Sequence, residues 1–471
     1  MSPGTAVEAP TLDSAFVTHA LGDALTARFG RPRTFARAVI DSRLVQPGDL
    51  FVALQGEHED GHRFAAQAEA AGAAGLLLAH SVSGLAEPGE SARFYVDDTL
   101  AALQRLAVAW RDALPQTEVV GVTGNVGKTT TKLITAAVLG ARYRVQASAK
   151  NYNNEIGVPL CLLELQPDTQ RAVIEMGMYT TGEIALLCRW TRPRTGIVLN
   201  VGPVHLERAG SVQAIVEAKR ELVESLTADG HALLNADDPA VRGMAEHTRG
   251  RVWLFGTSAD AEVRGSDVAS HGARGFEFTL HYAGASRRVR VPLPGAHLLS
   301  NVLAASAAGL SDDIPLDGVV DAIERLDVPL RLVVRQVAGG VTLLDDTYNA
   351  NPASMLAALD LLSEMPGRRI ALLGDMRELG ELSEQSHARV GRRAAEVVDA
   401  LYTVGELAHG IAAAARDSGL AEAQHVASKE RAVEVLRATL RPGDVLLVKG
   451  SRALALETVT AALTGDRGGH E

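Results

Sequence analysis

Cysteine is almost missing from this chain: Cys161 and Cys188 are the two it has in 471 residues. Neither paired spacing nor density supports a disulfide framework or a zinc ribbon, and the scarcity fits a reduced, cytoplasmic setting. Long apolar runs are missing too. Without a stretch of 18 apolar residues no membrane-spanning helix is expected, and residues 1–16 lack the basic segment and apolar centre of an export signal. Positive charge is in deficit, with a formal balance of −11. Nucleic acid is therefore not an expected partner, and any phosphorylated ligand must be held by local donors. No internal repeat or low-complexity tract is present, beyond a richness in alanine that reflects helix propensity.

What remains is globular. Hydrophobic residues make up 46% and charged residues 22%, enough apolar surface for packed cores without bulk disorder. The length exceeds one ordinary core, so about three units are expected. An apolar run at 50–54, a Gly/His turn, an alanine-rich helix at 63–71 and a strand at 75–78 read as a small α/β unit. A helix over 100–114 ends at Pro115 and places the first boundary there. Strands at 119–123, 172–175, 196–200 and 232–235 alternate with helices such as 128–139 and 212–226, the pattern of a mainly parallel sheet with helices on both faces. A helix over 296–310 closes this region, and Pro329 marks the second boundary. Beyond it, strands at 341–344, 370–373, 401–404 and 445–448 alternate with helices at 353–362, 385–398 and 429–440, a doubly wound unit. The expected fold class is α/β in three domains: a small α/β domain over 1–115, a central phosphate-loop (P-loop) parallel-sheet domain over 116–328, and a Rossmann-like domain over 329–471.

Chemistry concentrates first at Thr123-Gly124-Asn125-Val126-Gly127-Lys128-Thr129-Thr130. Two glycines stand where backbone amides must turn inward, Lys128 can meet the β- and γ-phosphates, and Thr129 offers a hydroxyl to Mg²⁺. Val122 replaces the first glycine of the longer phosphate-loop pattern. The strand before and the helix after are the context such a loop requires; an ordinary turn with an exposed lysine is the bland alternative. A nucleoside triphosphate site does not name a reaction, since kinases, motors and ligases share it.

Further stretches do. Lys150-Asn151-Tyr152-Asn153-Asn154-Glu155-Ile156-Gly157-Val158-Pro159 and Asp345-Asp346-Thr347-Tyr348-Asn349-Ala350-Asn351-Pro352, with the loop and Lys449-Gly450-Ser451-Arg452, resemble the motifs of the Mur ligases, which build the peptide of the bacterial cell wall. The resemblance spans nearly the whole chain. The wording at the first two places is similar to that of the members that add a dipeptide, and the Asn-Pro-Arg motif of the members that add a third amino acid is not visible.

The resemblance implies roles residue by residue. Glu175 ends a strand and His205 follows another, so both fall at the carboxyl edge of the sheet, where α/β ligands bind; with Thr129 they are expected to hold Mg²⁺. Lys219 is expected to carry a CO₂-derived carbamate that supports a second Mg²⁺, although helix spacing alone reads it as a solvated lysine beside a glutamate. His297 and Asn301, four apart on one helix and so on one face, are expected beside the adenine, with Asn154 also in the nucleotide site. Leu298 stands where the family usually has Asn. Arg331 is expected toward the γ-phosphate and Asp346 toward the ribose as the third domain closes; Leu330 replaces the family's glycine. Ser42 and Arg43 are expected to hold the pyrophosphate of a uridine nucleotide.

The implied function is an ATP- and Mg²⁺-dependent ligase, working through an acyl phosphate. Its implied substrates are UDP-N-acetylmuramoyl-tripeptide, bound by the first domain, and D-alanyl-D-alanine, bound by the third. A monomer is implied, with no membrane partner. Two alternatives stay open: a sister ligase adding a single amino acid, and a binding module that the nucleotide merely switches.

Overall fold

The computed structural model describes residues 9–56, 59–85, 91–149, 151–202, 210–337 and 339–465. Among them the chain forms three sheets in succession.

The first contains β1 (Leu25–Phe29), β2 (Ala38–Val39), β3 (Leu50–Val52), β4 (Gly75–Leu78) and β5 (Ala92–Val96) in the order β1-β5-β4-β3-β2, with β1 antiparallel to β5 and the others parallel. β3 and β4 are apolar at nearly every position because both of their faces are covered. His62 locks the turn after β3: its Nε2 accepts the Ala79 amide at 2.7 Å and its Nδ1 faces Asp60 Oδ1 at 2.6 Å. The long helix Thr99–Asp112, started by Asp98 capping the Leu100 and Ala101 amides, packs across toward the second unit. Trp110 at its far end donates to the Leu165 carbonyl at 3.0 Å.

The second sheet comprises β6 (Glu118–Thr123), β7 (Val145–Ala147), β8 (Arg171–Glu175), β9 (Thr195–Val198), β10 (His231–Asn235), β11 (Arg251–Gly256), β12 (Val263–Ser270), β13 (Phe276–Tyr282) and β14 (Ala285–Val291). Their order is β14-β13-β12-β11-β10-β9-β6-β8-β7. From β12 to β7 neighbours run parallel; β13 and β14 form an antiparallel extension. β6 is flanked by β9 and β8, so the chain order reverses at its carboxyl end, the place where a crevice opens in such sheets. The segment 251–291, for which the sequence suggested no strands, is thus four strands of this sheet.

The third sheet has β15 (Val333–Val337), β16 (Val341–Asp346), β17 (Arg369–Gly374), β18 (Ala400–Val404), β19 (Ala423–Val426) and β20 (Val445–Lys449) in the order β15-β16-β20-β17-β18-β19, parallel except for β15. Its core divides into two apolar layers, one on each face of the sheet, as a doubly wound unit requires.

One local expectation is corrected. The single helix over 296–310 is a 3₁₀ turn, Ala296–Leu298, followed by the helix Leu299–Ser311. His297 therefore sits on the turn and not one helical turn below Asn301 on a common face. No helix among the described residues is long and apolar enough to cross a membrane.

Candidate active site

A cleft of about 790 Å³ opens where the carboxyl edges of the second and third sheets face each other. The phosphate loop forms its floor. β6 delivers the chain to Gly124, Gly127 adopts φ 84°, and the helix Lys128–Leu139 starts at once. A side chain at Gly127 would be strained by its positive φ, and a Cβ there would lie 2.4 Å from Asn301 Nδ2, displacing that amide. Asn301 reaches in from the helix Leu299–Ser311 and donates to the Thr131 hydroxyl at 2.8 Å and the Gly127 carbonyl at 3.2 Å.

Asn200, just past β9, braces the other side of the loop. Its Oδ1 accepts the amides of Asn125 and Val126, both at 3.0 Å, and its Nδ2 donates to the Val126 carbonyl at 3.1 Å. Lys128 folds back over the loop, donating to the Gly124 carbonyl at 2.8 Å. Burial pushes its ammonium down, opposed by Glu175 and reinforced by Arg331.

Beside the loop stands Glu175, 1% exposed at the end of β8. Its carboxylate accepts from Thr129 Oγ1 at 2.8 Å and Asn153 Nδ2 at 2.9 Å, and Lys132 Nζ lies 3.7 Å away. From the third unit Arg331 Nη2 crosses to Thr129 Oγ1 at 2.8 Å, its guanidinium stacked 4.0 Å over the Tyr348 ring. Two units thus meet on one threonine hydroxyl.

Lys219 lines the same cleft from the helix Val212–Glu224 at 3% exposure. It makes no hydrogen bond or ion pair among the described residues. Burial first, and Lys128 second, hold its ammonium far below the ordinary lysine range. The solvated helix lysine of the bland reading is excluded.

Asp346, at the end of β16, is engaged in a buried pair. Lys449 Nζ, 2% exposed, lies 2.6 Å from Asp346 Oδ2 and 2.8 Å from the Asn349 carbonyl. His297 lines the cleft opposite; burial lowers its basicity, with Asp346 opposing.

Of the residues singled out in the sequence, Gly124, Asn125, Val126, Gly127, Lys128, Thr129, Thr130, Asn154, Glu175, Lys219, His297, Asn301, Arg331 and Asp346 line this cleft. Asn154 also ties down the approach to the helix Gly157–Leu163, its Oδ1 accepting the Gly157 amide at 2.9 Å. Thr123 does not line the cleft: it is fully buried in β6 and its hydroxyl donates to the Met176 carbonyl at 3.0 Å. Its hydroxyl braces β6 against the segment after β8. Ser42 and Arg43 lie apart in the first unit. Ser42 Oγ contacts Gln67 Oε1 at 3.3 Å, and Arg43 is forked on Asp41, with Nη2 to Oδ2 at 2.6 Å. His205 lies outside the described residues. Asn200, Asn153, Lys132 and Tyr348 were not singled out; Asn153 and Tyr348 lay within quoted motifs, and Lys132 follows Lys128 by one helical turn.

The fold and the cleft define a phosphate-loop α/β protein of three units with a nucleotide-sized site between the second and third. Comparison with known families matches residues 36–111 to the Mur ligase family catalytic domain, 122–309 to the Mur ligase middle domain, and 330–452 to the Mur ligase glutamate ligase domain. Over 442 residues the chain is 40% identical to UDP-N-acetylmuramoyl-tripeptide–D-alanyl-D-alanine ligase of Escherichia coli K12, covering 92% of this chain and 95% of that protein. It is 36% identical over 428 residues to the Bacillus subtilis protein of the same name, covering 90% and 92%. Among solved structures it is similar to MurF from Acinetobacter baumannii, with TM-score 0.84, 29% identity, and coverage of 98% and 100%. It is also similar to the Thermotoga maritima MurF ligase in complex with ADP, with TM-score 0.78, 28% identity, and coverage of 91% and 97%. The chain belongs to the Mur ligase family.

Proposed function

We propose that this protein uses ATP to join D-alanyl-D-alanine to UDP-N-acetylmuramoyl-tripeptide, giving UDP-N-acetylmuramoyl-pentapeptide, ADP and phosphate in peptidoglycan precursor synthesis. The observation that carries this reading is the meeting of Lys128, Thr129 and Glu175 with Arg331 at the mouth of the phosphate loop, in a chain so similar to ligases of that name.

The loop amides, held inward by Asn200, receive the phosphates. Lys128 exchanges its loop carbonyls for β- and γ-phosphate oxygens, and Arg331 brings a second positive charge from across the cleft. The terminal carboxylate of the tripeptide attacks the γ-phosphorus in line; an O–P bond forms, the bond to ADP breaks, and an acyl phosphate results. The amine of the dipeptide then adds to the acyl carbon, loses its proton, and the tetrahedral intermediate expels phosphate. No protein nucleophile takes part, so positioning and charge account for the catalysis. An acyl phosphate hydrolyses if exposed, which gives the third unit its purpose as a cover.

The donor set fits Mg²⁺: hard oxygens of Thr129 and Glu175 converge beside the loop, and we assign them with His205 to the metal. Mg²⁺ supplies neutralisation of charge on the transferring phosphoryl group. A lysine ammonium does not fit that set, but burial lowers the Lys219 pKa and so favours the neutral amine, the form that can add to CO₂ and release a proton. The carbamate so formed is the anionic oxygen ligand the site calls for. Asn154, His297, Asn301 and Asp346 are assigned to the nucleoside, Asp346 through the oxygen that Lys449 leaves free. Ser42 and Arg43 are assigned to the uridine pyrophosphate, for which Arg43 must leave Asp41.

Both cysteines are buried and unpaired, their thiols pushed up to about 12 by burial, in keeping with a reduced cytoplasm.

Mass spectrometry of products from ATP, UDP-N-acetylmuramoyl-tripeptide and D-alanyl-D-alanine tests the proposal. The pentapeptide is expected. Addition of one residue instead would identify a sister ligase, and no turnover would leave a nucleotide-switched module.

A further inference from the structure

At the amino ends of the second sheet's strands, the edge opposite the phosphate loop, lies another cavity, of about 310 Å³. None of its lining residues enters the proposed ligase chemistry. One wall is the sheet itself: β9, β10 and β11 begin with Thr195, His231 and Arg251 in register, so these side chains stand in a row on one face. The other wall is the turn after the helix Leu299–Ser311, which carries Asp312 and Asp313.

Pairing inside the cavity is incomplete. Arg171 is forked on Asp312, Nη2 to Oδ1 at 2.8 Å, and Arg194 pairs with Glu118. Arg251 gives one nitrogen to Glu262, Nη2 to Oε1 at 3.0 Å, and is steadied 4.1 Å over the Trp253 ring. His231 Nδ1 accepts from Trp253 Nε1 at 3.0 Å, which leaves the proton of the neutral ring on Nε2. That Nε2–H, the other nitrogens of Arg251 and the Asp313 carboxylate make no hydrogen bond or ion pair among the described residues.

Charge and size restrict the occupant. Arg171, Arg194 and Arg251 are balanced by Glu118, Asp312 and Asp313. A polyanion would meet three carboxylates and a cation three guanidiniums, while an apolar molecule would strip water from both. The volume stands at the lower end of the roughly 300–1,000 Å³ of ligand sites, small for a nucleotide. A small molecule with separated charges and no net charge fits.

The cavity also touches both helices that shape the phosphate loop. Tyr143 Oη donates to the Asp312 carbonyl at 3.0 Å and Arg142 Nη1 to the Asp313 carbonyl at 2.6 Å, which ties together the far ends of the helices Lys128–Leu139 and Leu299–Ser311. About 18 Å away, one helix length, Asn301 ties their near ends through Gly127 and Thr131.

We infer that this cavity binds a free α-amino acid, its ammonium at Asp313 and its carboxylate at Arg251 and His231, and that occupancy changes the hold of the phosphate loop on nucleotide. The site does not depend on the ligase reading. An amino acid bridging Asp313 to the strand row shifts the end of one helix against the other, and Asn301 carries the shift to Gly127. By linkage, nucleotide alters the affinity for the amino acid by the same factor.

The test is saturation-transfer NMR and calorimetry on the full chain without nucleotide, with each standard L-amino acid and D-alanine as probes. At least one should bind saturably, and its N-acetyl and C-amide derivatives, each lacking one charge, should bind roughly 10- to 100-fold more weakly. Asp313→Asn is tolerated at that residue's φ of 58° and has no side-chain partner to lose; it should weaken binding by a similar factor, as should Arg251→Gln. Lys128→Ala, at the opposite edge, should leave binding unchanged. With the amino acid at saturation, the Kd of a fluorescent ATP analogue should change by about fivefold or more, and this response should vanish in Asp313→Asn. No saturable binder, binding that survives both Asp313→Asn and Arg251→Gln, or binding lost in Lys128→Ala overturns the site. An affinity for the ATP analogue that ignores the bound amino acid overturns the coupling.

Discussion

The buried pair of Asp346 and Lys449 offers a prediction independent of substrate. Asp346 faces the nucleotide cleft, but in the structure it neutralises an ammonium that is 2% exposed and has the Asn349 carbonyl as its other acceptor. Asp346→Leu would leave that charge buried with a single neutral partner. Breaking a buried pair from one side costs about 3 to 5 kcal/mol, whereas replacing both members with apolar residues of similar size is close to neutral. Asp346→Leu should therefore destabilise the third unit by about that amount, and Asp346→Leu with Lys449→Met should recover to within about 1 kcal/mol of the wild type. Activity cannot report this, because the single change also removes the nucleotide contact proposed for Asp346. Hydrogen exchange of peptides from β16 and β20 can: a loss of that size speeds exchange by about two to nearly four decades where opening is global. An Asp346→Leu variant exchanging within tenfold of the wild type, or a double variant as labile as the single one, would refute the reasoning.

Asn200→Ala removes three hydrogen bonds that shape the phosphate loop. At about 1 kcal/mol each, partly regained by water, it should weaken binding of a fluorescent ATP analogue by roughly 10- to 100-fold with an unchanged circular dichroism spectrum. Lys219→Ala should abolish ligation, and short carboxylic acids should restore part of it by standing in for the carbamate; full activity without them would sink the assignment. His387 is 2% exposed; it donates from Nδ1 to the Ser383 carbonyl at 2.7 Å and accepts the Met376 amide on Nε2 at 3.1 Å. Burial lowers its pKa, so the unfolded chain takes up this proton first as pH falls below about 6.5. Its contribution is complete above that pH and declines below it by up to about 1.4 kcal/mol per pH unit, until the folded state also protonates. Urea denaturation at pH 7.5 and 5.5 should show a smaller loss in His387→Gln than in the wild type.

The phosphate loop was legible because its whole logic is local: a β-branched strand, two glycines, a lysine and a hydroxyl in eight residues. The parallel strands were legible for the same reason, since burial on both faces makes β3, β4 and β6 read as apolar runs. The extension β12 to β14 was not, although Phe276, Phe278 and Leu280 alternate inward along β13. In β12 a non-glycine residue at positive φ, Asp267, coincides with a shift of register, and the burial pattern beyond it loses its period. The brace at Asn200 and the pair at Lys449 join residues 74 and 103 positions apart. Only the folded sheets bring those partners together. His297 lines the cleft, but not through the helical face expected for it, since a 3₁₀ turn gives no i, i+4 face.

The account's central claim is that a carboxylate oxygen of the tripeptide takes the γ-phosphoryl group. Tripeptide labelled with ¹⁸O in its terminal carboxyl, turned over with ATP and D-alanyl-D-alanine, should yield inorganic phosphate carrying one ¹⁸O per pentapeptide formed. Phosphate free of label, with pentapeptide formed, would contradict it.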